Sequence, residues 1–226
     1  MGMIKVKEPF AKAPKVGPAR QQSPWAGELD PSRGFAEISN ASLDGLEVDL
    51  YDVERLEIEN CHLSATMLAH ANDDLEISLA GSLVERSDLS RLRLTVVRQS
   101  RLVGLKLTGT DFSGAALRDV EFVDCMLHLT SFRMAELERV TFTNCTFEDV
   151  DAYSAGLRDV TFPQSRLNAF NLDQTRAERV DLREAELDGL KGLSRLEGFL
   201  IAEHQLPALA FQLADAVGLS IENTLI

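Results

Sequence analysis

Cysteine is scarce in this chain, with three residues in 226 (Cys61, Cys125 and Cys145) and no Cys-x-x-Cys pair. So sparse and odd a set argues against a disulfide framework or a zinc site and fits a reducing compartment. Aromatic residues make up only 6%, with one tryptophan. No apolar run approaches the roughly 18 residues of a membrane-spanning helix, and no apolar stretch follows the N-terminal lysines. Neither a membrane span nor a signal peptide is therefore expected, and the expected location is cytoplasmic. Basic residues are also short, 23 Lys and Arg against 36 Asp and Glu, a formal net charge of −13. That balance disfavours direct nucleic-acid binding, because phosphate contact needs concentrated cations. Nucleophile elbows, phosphate loops, dinucleotide fingerprints and zinc signatures are all missing. The four histidines, His62, His70, His128 and His204, are dispersed. No catalytic, cofactor-binding or metal residue is expected, and the chain reads as a non-enzyme.

What is present is a repeat of five residues. Every fifth position from Leu92 to Leu187 is apolar, twenty positions of which eighteen are large. Two residues before each stands a mostly small or β-branched side chain, such as Ala115, Val120, Cys125 and Thr130, and the other three positions are largely polar. A period of five matches neither a helix nor a continuous strand, so the chain must turn a corner in every repeat to keep these residues on one side. A longer echo counts the corners. Leu117-Arg-Asp-Val-Glu-Phe122, Leu137-Glu-Arg-Val-Thr-Phe142, Leu157-Arg-Asp-Val-Thr-Phe162 and Ala177-Glu-Arg-Val-Asp-Leu182 recur at every fourth repeat, which makes a four-cornered solenoid. An earlier run, Ile38 to Leu68, keeps the same period in another register. Between about 69 and 91 the phases conflict, and a slipped coil or loop is expected there; a solenoid tolerates this because each coil touches only its neighbours.

The A/S/C/T/V-x-L/F-x-x pattern over residues 36–190 resembles the pentapeptide-repeat proteins. The resemblance implies an all-β fold, a right-handed quadrilateral β-helix with the central residue and the one two before it pointing inward. The residue just before the centre is often Asp or Asn in that family, whereas here it varies (Glu121, Met126, Ser131, Glu136). Acidic members of the family resemble B-DNA in width and charge, bind type II topoisomerases such as gyrase and confer fluoroquinolone resistance. The resemblance therefore implies a protein partner, DNA gyrase or another DNA-binding protein.

Charge bears on that implication. Residues 36–190 carry 29 acids and 15 bases, a net of −14. At about 4.8 Å per coil this is roughly one net charge per 2.6 Å, of the same order as duplex DNA at about 1.7 Å. Downstream, however, acids alternate with bases at Arg118-Asp119, Glu138-Arg139, Arg158-Asp159 and Glu178-Arg179, which should stack into a salt-bridged, solvated ladder. The first block differs: Asp44, Glu47, Asp49, Asp52, Glu54, Glu57 and Glu59 face only Arg55. These seven acids are the candidate partner-binding patch; the alternative is that they keep the rod soluble. His62 and His128 fall beside inward residues and should point outward into solvent. Cys125 and Cys145 share one inward column, one coil apart, which leaves both a disulfide and free buried thiols open.

The ends depart from the repeat. Residues 1–35, whose first thirty carry Pro9, Pro14, Pro18 and Pro24 with five basic residues, read as an extended or disordered basic arm or cap. Residues 191–226 read as a C-terminal cap. Within it Leu206, Leu209, Leu213 and Val217 lie at helical spacing, Pro207 belongs in the first turn, and Gly218 supplies a stop. A helix there closes the apolar column. Leu209, Phe211 and Leu213 are the candidate contacts of a homodimer, which gives a second reading: a structural or self-assembly module with no topoisomerase target.

Overall fold

A five-residue repeat needs one bend per repeat, and the computed structural model, which describes residues 23–25, 34–69, 75–193, 195 and 197–219, places that bend at a constant position. Two residues after each central residue the backbone turns left-handed: Asp119, Asp124, Leu129 and Met134 take φ of 55°, 55°, 53° and 56° in one circuit. One left-handed residue between short extended segments turns the chain and restores the alternation that aims the next central side chain inward. Each such bend costs a residue with a Cβ about 1–2 kcal/mol. Gly104 and Gly109 take the same position at φ 60° and 66° without that cost.

The result is a parallel, four-sided β-solenoid of about 8 turns. In its regular part successive rungs lie four repeats apart, as Leu117 opposite Leu137, Leu137 opposite Leu157, and Leu157 opposite Ala177. Inside, side chains stack by column. Phe122 lies on Phe142 at 4.7 Å and Phe142 on Phe162 at 5.2 Å between ring centroids, while Phe132 meets Phe142 edge-on at 6.2 Å. The columns two residues earlier are filled by small groups, and their polar members are satisfied by carbonyls of the previous coil. Thr130 Oγ1 donates to Leu107 O at 2.6 Å, and Ser165 Oγ to Phe142 O at 2.8 Å. Cys125 and Cys145 are free, buried thiols.

The conflict of phases resolves as a slipped coil. From Leu63 to its partner Val84 the coil is one residue longer than four repeats, and from Val84 to Leu102 it is two residues shorter. The two coils together are thus one residue short of eight repeats, which carries the register of the first block into that of the second. The ladder absorbs the slip at a bulge between Leu94 and Val96, which leaves Thr95 unpaired.

At the N-terminal end Ser23–Pro24 pair with Ala41–Ser42, and Trp25 packs against the core. The rest of the arm, and the tail beyond Leu219, lie outside the described residues. At the other end the helix Leu206–Ala216 closes the column, with Pro207 in its first turn and Gly218 at φ 74° just after it. Leu209 is buried and Leu213 packs partly on the core, whereas Phe211 is 68% exposed. Leu209, Phe211 and Leu213 therefore do not form one outward face: two of them serve the cap, because the open end of the last coil is itself apolar. The sequence did not single out Gln205, which seats the helix. Its Nε2 donates to Leu182 O and Ala185 O, both at 2.7 Å, and its Oε1 accepts the Ala202 N–H at 2.7 Å.

Candidate interaction surface

With the inward positions filled by core, everything chemical lies outside, arranged in columns that run along the rod. One outward column reads Ser39, Glu59, Ala80, Arg98, Arg118, Glu138, Arg158 and Glu178, rung by rung. From Arg118 onward its charges alternate and pair. Arg118 reaches Glu138 at 3.0 Å and Arg158 reaches the same carboxylate at 2.8 Å. In the neighbouring corner column Arg139 holds Asp119 and Arg179 holds Asp159 through two hydrogen bonds each. Partial burial pushes the Glu138 carboxyl up, but Arg139, Arg158 and Arg118 together bring it below the usual carboxylate range. The acids of these two columns, Asp119, Glu138, Asp159 and Glu178, are thus neutralised within the rod, as the alternating sequence implies.

Among the described residues the first block is not neutralised. Asp44, Glu47, Asp49, Asp52, Glu54, Glu57 and Glu59 are all exposed. Asp44 meets His62 Nδ1 at 3.1 Å, but among the described residues the other six form no ion pair. Glu57 stands directly opposite Glu37 on the adjacent coil, like charge on like. Residues 34–69 carry eight acids and one arginine, a net of −7. The seven predicted residues do not, however, form a patch on one side. Glu57 and Glu59 lie on the face that pairs with Glu76–Ala80, and Glu47 and Asp49 on the face that pairs with Met67–Ala69. They form a band around the rod because they follow the chain through about three of the four repeats of a turn.

His62 is not a freely solvated side chain. It is half-buried, with Asp44 on Nδ1 and Glu85 on Nε2 at 3.2 Å. A shallow depression of about 260 Å³ lies over Gly156, where Glu136 and Arg176 pair at 2.6 Å across two rungs. Its lining balances Glu136 and Glu178 against Arg158 and Arg176. Among the described residues no group of three or more His, Cys, Asp or Glu is placed to hold a metal ion. No helix among them is long and apolar enough to cross a membrane.

Residues 95–172 match the family model described as pentapeptide repeat region. No curated protein matches the chain in sequence. Among solved structures, a trypsin-treated variant of QnrB1, a plasmid-mediated fluoroquinolone resistance protein, is 17% identical over 86% of this chain and 96% of its own, with a TM-score of 0.31. HetL, a pentapeptide repeat protein involved in heterocyst differentiation regulation from the cyanobacterium Nostoc sp. strain PCC 7120, is 14% identical over 69% and 82%, with a TM-score of 0.24. Rfr23, a pentapeptide repeat protein from the cyanobacterium Cyanothece 51142, is 15% identical over 74% and 91%, with a TM-score of 0.18. Residues 95–172, which keep the five-residue period and its left-handed corners, are thus similar to a pentapeptide repeat region.

Proposed function

We propose that the chain acts by binding another protein rather than by turnover, and that its working surface is the acidic band of residues 34–69. The observation that carries this reading is the contrast along the rod. Downstream, Asp119, Glu121, Glu138 and Asp159 are engaged by arginines one rung away, whereas Glu47, Asp49, Asp52, Glu54, Glu57 and Glu59 have no cation among the described residues. Glu37 and Glu57, like charges facing each other across one rung, repel, and a basic partner relieves that repulsion. A rod girdled by a band of unpaired carboxylates offers a basic groove an anionic surface, as a nucleic-acid backbone does. A protein that handles DNA is the fitting partner class, and DNA gyrase is the first member to test.

The test is supercoiling by purified gyrase as the protein is titrated in at low and high salt. A variant with Asp49→Asn, Asp52→Asn, Glu54→Gln and Glu57→Gln is run beside it. Inhibition or protection that weakens with salt and disappears in the variant is the expected outcome. Folded protein with no effect on gyrase removes that target, and failure of a basic DNA-binding surface to retain the protein at low salt removes the band as a docking site.

A further inference from the structure

One of the four faces differs from the rest. Of the seven large apolar side chains exposed on the described solenoid, five (Leu46, Tyr51, Met67, Met126 and Leu129) lie on this face or the corner after it. Two bases of the slipped coil, Arg91 and Lys106, stand on this face or at its corner. Residues 83–106 carry six bases and two acids, a net of +4 in a chain of net −13. Among the described residues Arg91 and Lys106 have no carboxylate partner forming an ion pair.

Along the corner column of this face Arg91, Gly109, Leu129 and Asp149 follow one another, ahead of Ala169 and Gly189, each of the four linked to the next coil by a corner backbone hydrogen bond. Read in reverse it is its own complement: arginine falls opposite aspartate, and leucine opposite glycine. Leu129 projects, 58% exposed, from a left-handed corner at φ 53°, a position that Asn40, Asn60 and Asn144 hold elsewhere. Above Gly109 the nearest atom to where a Cβ would sit is the Arg91 stem, 3.8 Å away, so a side chain can enter there. Asp149, like Arg91, forms no ion pair among the described residues. On the adjoining column reversal sets Lys106 opposite Met126 and Asp88 opposite Thr146, with no like charges facing.

We propose that this face docks a second copy of the chain, antiparallel, about a two-fold axis between the Gly109 and Leu129 rungs. Arg91 of each copy meets Asp149 of the other, and Leu129 fills the space over Gly109. A two-fold contact requires one self-complementary surface, which the stretch from Arg91 to Asp149 is. The strip is four coils long, about 19 Å, and short of the area of a permanent dimer, so association depends on concentration and salt. The strip lies on the coils that follow the acidic band, on the face that also carries Glu47 and Asp49, and apart from the C-terminal helix.

Sedimentation of the full chain over a concentration series, at low and high salt, tests the proposal. The mass should climb towards twice the monomer at low salt and return at high salt. Arg91→Asp and Asp149→Arg each place a residue type already found at left-handed corners, so the coil should keep its melting temperature while association weakens tenfold or more. Mixed in equal amounts, the two variants should recover the dimer, because both contacts of the mixed pair are restored with reversed sign. Leu129→Asn should melt higher than wild type and remain monomeric. Monomer at every concentration overturns the proposal, as does a dimer indifferent to both charge reversals, a mixture that stays monomeric, or a dimer lost on Phe211→Glu alone.

Discussion

Arg139 and Asp119 face each other across one rung of the coil, Nε to Oδ1 at 2.6 Å and Nη2 to Oδ2 at 2.8 Å, in a two-pronged pair that recurs two coils later as Arg179 with Asp159. Both arginines and both aspartates occupy left-handed corners. The pairs therefore run along an edge of the square prism and fasten successive corners.

This edge should show in acid. Hydrogen bonding from Arg139 holds the Asp119 carboxyl below its ordinary value. Stability from the pair is complete above the unfolded aspartate pKa of about 3.9 and is lost as pH falls through the lower folded value. Asp119→Asn should cost up to about 1 kcal/mol at neutral pH and progressively less as acid protonates the carboxyl. Urea unfolding at pH 7 and pH 2.5 checks this, and an equal loss at both would place the effect in packing instead.

Phe142 is 1% exposed and touches the rings of Phe122, Phe132, Phe147 and Phe162. Truncation to Ala should cost about 3–5 kcal/mol, because the columns above and below cannot close on the gap. Phe142→Asp should prevent folding, since a lone carboxylate would enter a dry column. Circular dichroism and thermal melting decide the matter; a folded Phe142→Asp protein would contradict the inward register.

Gln205 is the seat of the cap. Gln205→Leu removes the partners of Leu182 O, Ala185 O and the Ala202 N–H in a buried place. A loss of about 1–3 kcal/mol is expected, together with fast amide exchange through the helix Leu206–Ala216. Unchanged exchange there would mean that Leu209 alone holds the helix.

The thiols give a fourth check. Burial pushes the Cys61 thiol up, and hydrogen bonding with Cys125 together with burial pushes Cys145 up. A folded pKa above the unfolded one gives stability that is full below the unfolded value of about 8.5 and declines as pH rises past it. Native protein should leave all three thiols unreactive to an aromatic disulfide reagent, and unfolding should release them together. Reaction of one thiol in the native state would reveal a local opening of that coil.

Much of this was legible because a solenoid is nearly one-dimensional. The position of a residue within its repeat decides whether it points in or out, so the aromatic columns, the buried cysteines and the Arg118–Glu138 ladder followed from spacing alone. The slipped coil was legible as a conflict of phases, but not as one lengthened coil followed by one shortened coil. That division depends on where the ladder can bulge, at Thr95, which carries no local signal. The left-handed corner was harder to see, because nineteen residues other than glycine adopt it, including Leu129 and Met134.

Period, handed corners and the apolar interior were thus determined by the sequence itself, since each arises within one repeat or between identical positions four repeats apart. Only the tertiary structure decided what stands beside what across the slip and at the ends. It turned one acidic run into a band, set Arg91, Gly109, Leu129 and Asp149 in line, and folded Leu209 and Leu213 inward while leaving Phe211 in solvent. Those relations depend on the accumulated length of whole coils and on the docking of a helix onto the last one, and no local pattern records either.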